Sequence, residues 1–189
     1  MTPIARAGLV ISVGLGLCLG ACSGDSKAAA IPDAPAGSMK LTSPAFAEGG
    51  MIPDNNTCKG ANTSPVLAWT GAPSGTQGFA VVFTDLTGAL THWVIYDVSK
   101  SATGLPAGVE NTSSPGSVPG AHQIESIEPG ITGYFGPCPS TGHLYQFIVY
   151  ALDVAMLPGV SASSSRAEAV AAIQPRRLDS GALTGEFAP

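Results

Sequence analysis

Three segments of this chain have the length of a β-strand and carry apolar residues on both of the faces that alternate side chains would form. They are Gly78–Asp85, Thr91–Val98 and Leu144–Asp153, and all are rich in Val, Ile, Phe and Tyr. These residue types favour strands, and a strand that is apolar on both faces is typical of a sheet covered on both sides. We therefore expect the three segments to form the centre of a doubly covered sheet.

The rest of the chain predicts shorter strands and one helix. Ser165 and Glu168 form a capping box ahead of the helix formers in Ala167–Ile173, and Pro175 should end the helix. Pro and Gly clusters separate the apolar segments and indicate loops. The fold class is therefore mainly β, a β-sandwich-like domain with one short C-terminal helix. The weaker strand candidates are Met39–Thr42, Val66–Thr70 and Ala182–Phe187.

The N-terminus predicts an export signal followed by a lipid anchor. Arg6 precedes the apolar run Ala7–Leu19, which is too short to span a bilayer as a helix. The run ends in Leu19-Gly20-Ala21-Cys22, which resembles a bacterial lipobox, in which Cys22 is acylated and becomes the mature N-terminus. An ordinary signal peptide that happens to contain a cysteine is the alternative. Ser23 in place of Asp favours the outer membrane of a diderm cell envelope.

Three parts follow from this reading: a signal peptide at 1–21, a flexible tether at 22–37 and one folded domain at 38–189. The tether contains Ser, Gly, Ala and Pro but no aromatic residue, so it cannot bury enough surface to fold. The remaining stretch is long enough for one domain with a real hydrophobic core.

The charge of the chain excludes one class of partner. Residues 22–189 carry 7 basic and 13 acidic side chains, a net charge of −6, and no Lys or Arg cluster. Nucleic-acid binding is therefore not expected, because it needs a basic surface. No basic patch for anionic lipid is present either, so membrane attachment would depend on the acyl anchor.

Polar residues stand at the ends of the apolar strands, where core packing does not require them. Asp85 ends one strand, His92 lies at the start of the next, and His143 and Tyr145 share a face because alternate strand residues do so. A hairpin would bring Asp85 towards His92. The loop before His143 adds Pro137, which stiffens the backbone. These residues could line one small, rigid pocket, although each has an ordinary structural explanation as well.

At these positions the chain resembles the phosphatidylethanolamine-binding protein family, in its bacterial Raf-kinase-inhibitor-like branch. The resemblance implies a β-sandwich with a small cavity at one end that takes phosphate-like anions and phospholipid head groups, with no securely assigned reaction and no cofactor. The pocket residues that it implies are Asp85, His92, Pro137, His143 and Tyr145. The motifs that carry it are Thr57-Cys58-Lys59-Gly60, Asn62-Thr63-Ser64-Pro65 with Trp69, Thr84-Asp85, His92-Trp93-Val94-Ile95-Tyr96, Gly136-Pro137-Cys138-Pro139, and His143 with Tyr145 leading into Tyr150-Ala151-Leu152-Asp153.

The chain departs from the family pattern beside the implied pocket. The family's D-P-D-A-P loop reads Asp85-Leu86-Thr87-Gly88-Ala89 here, and the loop that leads to His92 is shorter than usual. The family's H-R-Y reads His143-Leu144-Tyr145, so an arginine is absent. These changes alter one wall of the implied cavity.

Two cysteines remain after Cys18 and Cys22 are set aside, so one intramolecular disulfide or two separate thiols are possible. In the family, the loops that hold Cys58 and Cys138 lie near the ligand cavity. The resemblance therefore implies that the two sulfurs approach each other, and an exported protein would keep the bond.

Three classes of function stay open at this point. The favoured class is a binding module for a small anionic ligand or phospholipid head group, in which histidine charge makes binding weaken as the pH rises. The second is a module that inhibits a protease or other enzyme, with an unknown protein target. The third is a hydrolase or metal enzyme, in which Asp85, His92 and His143 would hold a divalent ion or Ser140 would act as nucleophile. No metal-binding or nucleophile-elbow motif supports the third class.

Overall fold

A computed structural model describes residues 38–189. The predicted signal peptide, the lipidation site at Cys22 and the tether lie outside the described residues. Within residues 38–189, no helix combines the length and the apolar character needed to cross a membrane.

The described chain is mainly β, with nine strands and one α-helix in residues 38–189. The strands are β1 (Lys40–Thr42), β2 (Gly50–Met51), β3 (Leu67–Thr70), β4 (Gly78–Asp85), β5 (Leu90–Ser99), β6 (Gly104–Leu105), β7 (His122–Gln123), β8 (His143–Leu152) and β9 (Arg177–Phe187), and the helix is α1 (Arg166–Ile173). Short 3₁₀ turns occur at Asp54–Asn56 and Gln174–Arg176.

Six strands form the larger sheet, in the order β2-β9-β8-β4-β5-β7. The strands β4, β5, β8 and β9 pair antiparallel, and every residue of β4 is buried. This confirms the prediction of doubly covered central strands, since β4 and β8 occupy the middle of the sheet. The strand β9 begins at Arg177, earlier than the predicted start at Ala182.

A smaller sheet, with the order β1-β3-β6, packs against one face of the larger sheet. We call this covered face the inner face. It holds a buried apolar cluster that includes Trp69, Phe79, Trp93 and Phe147. The chain enters the domain beside β9, where Ser38 donates from its backbone N–H and its hydroxyl to Asp179 Oδ2, at 3.1 and 2.7 Å.

The helix α1 covers part of the opposite face, which we call the outer face. Its start is the predicted capping box: the Ser165 hydroxyl accepts the Glu168 N–H, and the Glu168 side chain accepts the Ser165 N–H. The helix ends at Ile173, and Pro175 lies in the following 3₁₀ turn. Ala169, Val170 and Ile173 are buried within the cluster of the outer face.

Candidate functional site

A β-bulge at His92 shapes the candidate site. Phe83 pairs with Trp93 and Thr84 pairs with Thr91, so β5 contains one more residue than β4 between these two pairs. Strict alternation would direct His92 and Trp93 to opposite faces. The extra residue re-aims the His92 ring, which contacts Phe83 edge-on at a centroid distance of 5.5 Å on the inner face.

Asp85 and His143 form the charged pair of the site. The two residues belong to the neighbouring strands β4 and β8, and His143 Nδ1 lies 2.6 Å from Asp85 Oδ2. The Asp85 side chain is buried, whereas the His143 side chain is 20% exposed. A carboxylate accepts only, so the proton of this hydrogen bond belongs to Nδ1 and the Nε2 atom of His143 is left for another partner.

Local hydrogen bonds keep Asp85 ionised despite its burial. Burial alone would raise the pKa of Asp85, but the Gly88 N–H, which donates to Oδ1 at 2.7 Å, and the His143 ring outweigh it and lower that pKa. The Tyr145 hydroxyl also lowers it, while burial followed by the charge of Asp85 raises the pKa of Tyr145 above its ordinary value. The carboxylate is therefore a fixed negative charge that orients the His143 ring.

His92 is held from the other side of the site. Its Nδ1 lies 3.1 Å from the Phe135 carbonyl oxygen, so Nδ1 carries the proton and Nε2 has no protein partner among residues 38–189. Burial lowers the pKa of His92, against the Phe135 hydrogen bond and the charge of Asp85, which raise it. The Tyr145 ring lies between the two histidines, with centroid distances of 5.3 Å to His92 and 6.3 Å to His143.

Two loops build the wall next to His92. Gly136 N–H donates to Asn62 Oδ1 at 2.8 Å, and a Cβ atom at Gly136 would collide with the Asn56 carbonyl. That same carbonyl accepts the Tyr134 hydroxyl at 2.7 Å. Only glycine therefore allows this approach of the two loops. The sequence interpretation did not assign a role to Asn56 or Tyr134, although Asn62 belonged to a quoted motif.

Pro137 and the two cysteines complete this wall. Pro137 is buried, and its carbonyl accepts the Cys58 N–H at 3.1 Å. Cys58 and Cys138 are joined by a disulfide with a Cα–Cα distance of 5.4 Å, which is the pairing that the resemblance implied. Since Phe135 is only two residues before Pro137, the link between the loops also fixes the carbonyl that orients His92.

The structure thus brings together Asp85, His92, His143 and Tyr145, with Pro137 in the adjoining loop. Asp85 does not hydrogen-bond His92 within the β4–β5 hairpin; it bonds His143 of the neighbouring strand β8 instead. Ser140 is exposed and makes no hydrogen bond to a histidine in the described part of the chain. Across residues 38–189, no group of three or more His, Cys, Asp or Glu side chains is placed to hold a metal ion.

Each of the two imidazole rings has an Nε2 atom available to a ligand. Each is an acceptor when the ring is neutral and a donor when it is protonated. The rings are fixed through their Nδ1 atoms by Phe135 and Asp85, so their positions do not depend on the ligand.

Comparisons with known proteins agree with this architecture. The family model described as phosphatidylethanolamine-binding protein matches residues 42–188. A protein of Mycobacterium tuberculosis named "Putative lipoprotein LppC" is 35% identical over 189 residues, covering 90% of this chain and 89% of that protein. A UPF0098 protein of Methanothermobacter thermautotrophicus is 34% identical, covering 79% of this chain and 98% of that protein.

A solved structure gives the same result for the fold. The crystal structure of Escherichia coli YbcL, described as a new member of the mammalian PEBP family, superposes with a TM-score of 0.72 at 29% identity. The match covers 80% of this chain and 98% of YbcL.

Proposed function

The chain belongs to the phosphatidylethanolamine-binding protein family, and on that premise we propose that it binds a phosphate-type anion, free or as a phospholipid head group, at the His92–His143 site. The observation that carries the proposal is the pair of Nε2 atoms without protein partners, on rings whose Nδ1 atoms are both fixed. Tyr145 and Pro137 would limit the size of the pocket from the sides.

Hydrogen-bond donation from the imidazole rings supports an anion as the ligand. When His143 is protonated, its charge offsets that of Asp85, and its Nε2–H becomes a donor for a ligand oxygen. Protonation of His92 would add a second donor. Because burial lowers the pKa of His92, this second donor would form only on the acidic side of its ordinary range, and binding would strengthen there.

The double variant His92→Ala/His143→Ala tests the proposal. We expect loss of calorimetric binding of inorganic phosphate and of phosphorylethanolamine, with the circular dichroism spectrum retained. His122→Ala is the matched control, because His122 lies in the edge strand β7 and is bonded to Ser114. Unchanged affinity for both ligands in a folded double variant would contradict the assignment of the site to these histidines. Binding of phosphorylethanolamine but not of phosphate would identify the head group as the ligand.

We further propose that the protein is held in a bacterial cell envelope by acylation of Cys22. The lipobox-like sequence supports this, as does the name of the LppC relative, which contains the word lipoprotein. An outer-membrane location rests on Ser23 alone. Cys22→Ala should move the protein from the membrane fraction to the soluble fraction, with Cys18→Ala as the control. A Cys22→Ala protein that stays in the membrane with unchanged mass contradicts the anchor.

A further inference from the structure

A second cavity lies on the outer face of the six-stranded sheet, away from the histidines. It is a cleft of about 1000 Å³ between α1 and the β4–β5 hairpin. Small-molecule sites commonly have volumes of about 300–1,000 Å³, so the cleft is large enough for a ligand. Neither the sequence motifs nor the family resemblance assigns it a role.

The walls of the cleft are mostly apolar. Leu90 and Ile127 line one side, and Ala167, Val170 and Ala171 of α1 line the other. Leu90 is 46% exposed, a large apolar side chain left open to water at the start of a strand. A ligand that covered it with alkyl or aromatic carbon would be favoured by the removal of apolar surface from water.

The floor of the cleft contains a polar atom without a partner. Thr84 lines the cleft and is 1% exposed, and its hydroxyl has no hydrogen-bond partner within residues 38–189. Its neighbours Phe83 and Asp85 face inward, so alternation directs Thr84 to the outer face. A buried hydroxyl without a partner costs free energy, and a ligand oxygen that pairs with it would recover that cost.

The rim has no net formal charge. Two arginines and two glutamates line the cleft, Arg166, Arg177, Glu125 and Glu168, so their formal charges cancel. Three of these side chains already bond within the protein, and Glu125 is one of them, since its Oε1 accepts the Gly130 N–H at 3.1 Å. The Arg166 guanidinium donates to the carbonyls of Glu125, at 3.0 Å, and Ser126, and Glu168 accepts from Ser165 in the capping box.

From these features we infer that the cleft is a binding site for a small neutral amphiphile. The ligand has an alkyl or aromatic body that covers Leu90 and the α1 wall. It carries one hydroxyl or carbonyl oxygen that hydrogen-bonds the Thr84 hydroxyl. This ligand differs in charge and in face from the anion proposed for the histidine site, so neither assignment depends on the other.

Titration with 1-octanol, followed by amide chemical shifts of the purified protein, tests the inference. We expect saturable shifts at Thr84, Leu90, Thr91, Ile127 and along α1. Thr84→Val removes the hydroxyl at nearly constant shape and should weaken 1-octanol about tenfold. Ala171→Trp should fill the cleft and abolish binding, while phosphate binding at the histidine site stays unchanged.

Octanoate is the matched probe for charge, and it should bind more weakly than 1-octanol. Equal or tighter binding of octanoate overturns the neutral class of ligand. Shifts that spread outside the cleft, or an affinity for 1-octanol unaltered in both folded variants, overturn the site itself.

Discussion

Thr84 and Asp85 are consecutive residues of one buried strand, yet the two faces of the sheet treat them in opposite ways. Asp85 faces inward and is bonded to the Gly88 N–H and to His143, at 2.7 and 2.6 Å. Thr84 faces outward, and its hydroxyl has no partner in the part of the chain that the structure describes. The same contrast separates His92, whose ring is fixed by Phe135, from Thr91, which lines the cleft.

The difference shows how this fold prepares two kinds of site with one hairpin. On the inner face the protein fixes each histidine ring through its Nδ1 atom and leaves only the Nε2 atoms open, so the geometry is set before any ligand arrives. On the outer face the protein leaves a polar atom and an apolar wall incomplete. Four predictions test this comparison between the two faces.

The largest effect should come from the disulfide that ties the inner-face loops together. Cys58 and Cys138 are separated by 80 residues. A cross-link that closes a loop of this length contributes about 4–5 kcal/mol in the chain-entropy treatment. The double variant Cys58→Ala/Cys138→Ala should lose stability of this order in urea denaturation, and phosphate should bind more weakly. A variant of unchanged stability whose histidine site still binds phosphate normally would show that the loops are fixed without the bond.

Asp85→Asn should have the next largest effect. It removes the charge that holds His143, and we expect a loss of about 1–3 kcal/mol in the free energy of unfolding at neutral pH. Because the pKa of Asp85 is lowered, its contribution is present above about pH 4 and is lost as the pH falls through the folded-state pKa. The difference between the two proteins should therefore shrink in acid.

Asp153→Asn is the matched control for that substitution. Asp153 forms a surface ion pair with Arg176 at 3.8 Å, and both side chains are more than 40% exposed. Such pairs contribute about 0–1 kcal/mol, so little change is expected. Equal losses of unfolding free energy in the two variants would show that the buried Asp85–His143 pair stabilises the fold no more than a surface ion pair does.

Thr84→Val should act in the opposite direction on the outer face. Removal of a buried hydroxyl that has no partner should raise the free energy of unfolding, by about 1 kcal/mol. Thr57→Val is the control, because the equally buried Thr57 hydroxyl donates to the Asp54 carbonyl at 2.9 Å and accepts the Lys59 N–H. That variant should be less stable. If both valine variants lose stability alike, the Thr84 hydroxyl has a partner after all.

The smallest effect is a pH dependence that belongs to His92. Burial lowers its pKa below the unfolded value of about 6.5. Between the folded pKa and 6.5 the unfolded chain binds the proton and the folded chain does not, so stability is lost as the pH falls through this window. Urea midpoints of the native protein and His92→Gln, on either side of about pH 6.5, should diverge accordingly.

Sulfate keeps its charge throughout that pH window, so it tests separately whether protonation of His92 strengthens anion binding. It should bind more tightly as the pH falls, because the protonated His92 ring donates from Nε2, and it should offset part of the lost stability. Sulfate affinity that does not change with pH would mean that His92 does not contact the anion.

The sequence predicted the central strands well because their apolar residues repeat along each strand. The segment Gly78–Asp85 was predicted with its observed bounds, and the helix cap at Ser165 was identified from its side chains. The start of β9 was not predicted, because Arg177–Gly181 is held by pairing with β8 rather than by its own composition. The two-residue strands β2, β6 and β7 likewise depend on their neighbours.

For the candidate site, sequence spacing identified the residues but not their bonds. The partner of Asp85 is His143, and this choice depends on the register of β8 against β4. The bulge that re-aims His92 is a mismatch between two strands, so no local pattern contains it. The outer cleft was not predicted from the sequence. It is bounded by small residues on α1 and by the β4–β5 hairpin, which the sequence analysis treated only as a connection between strands.

The contact between Ser38 and Asp179 places the entry of the chain at the end of the sheet opposite the pocket. Asp179 pairs with Ala151, which is eight residues along β8 from His143, a separation of about 26 Å at the rise of an extended strand. The chain therefore enters the domain at one end of the sheet, and the histidines lie at the other. Ser38, the first described residue, therefore lies at the end of the sheet away from the histidines, so the point where the preceding chain is attached is not at the mouth of the pocket.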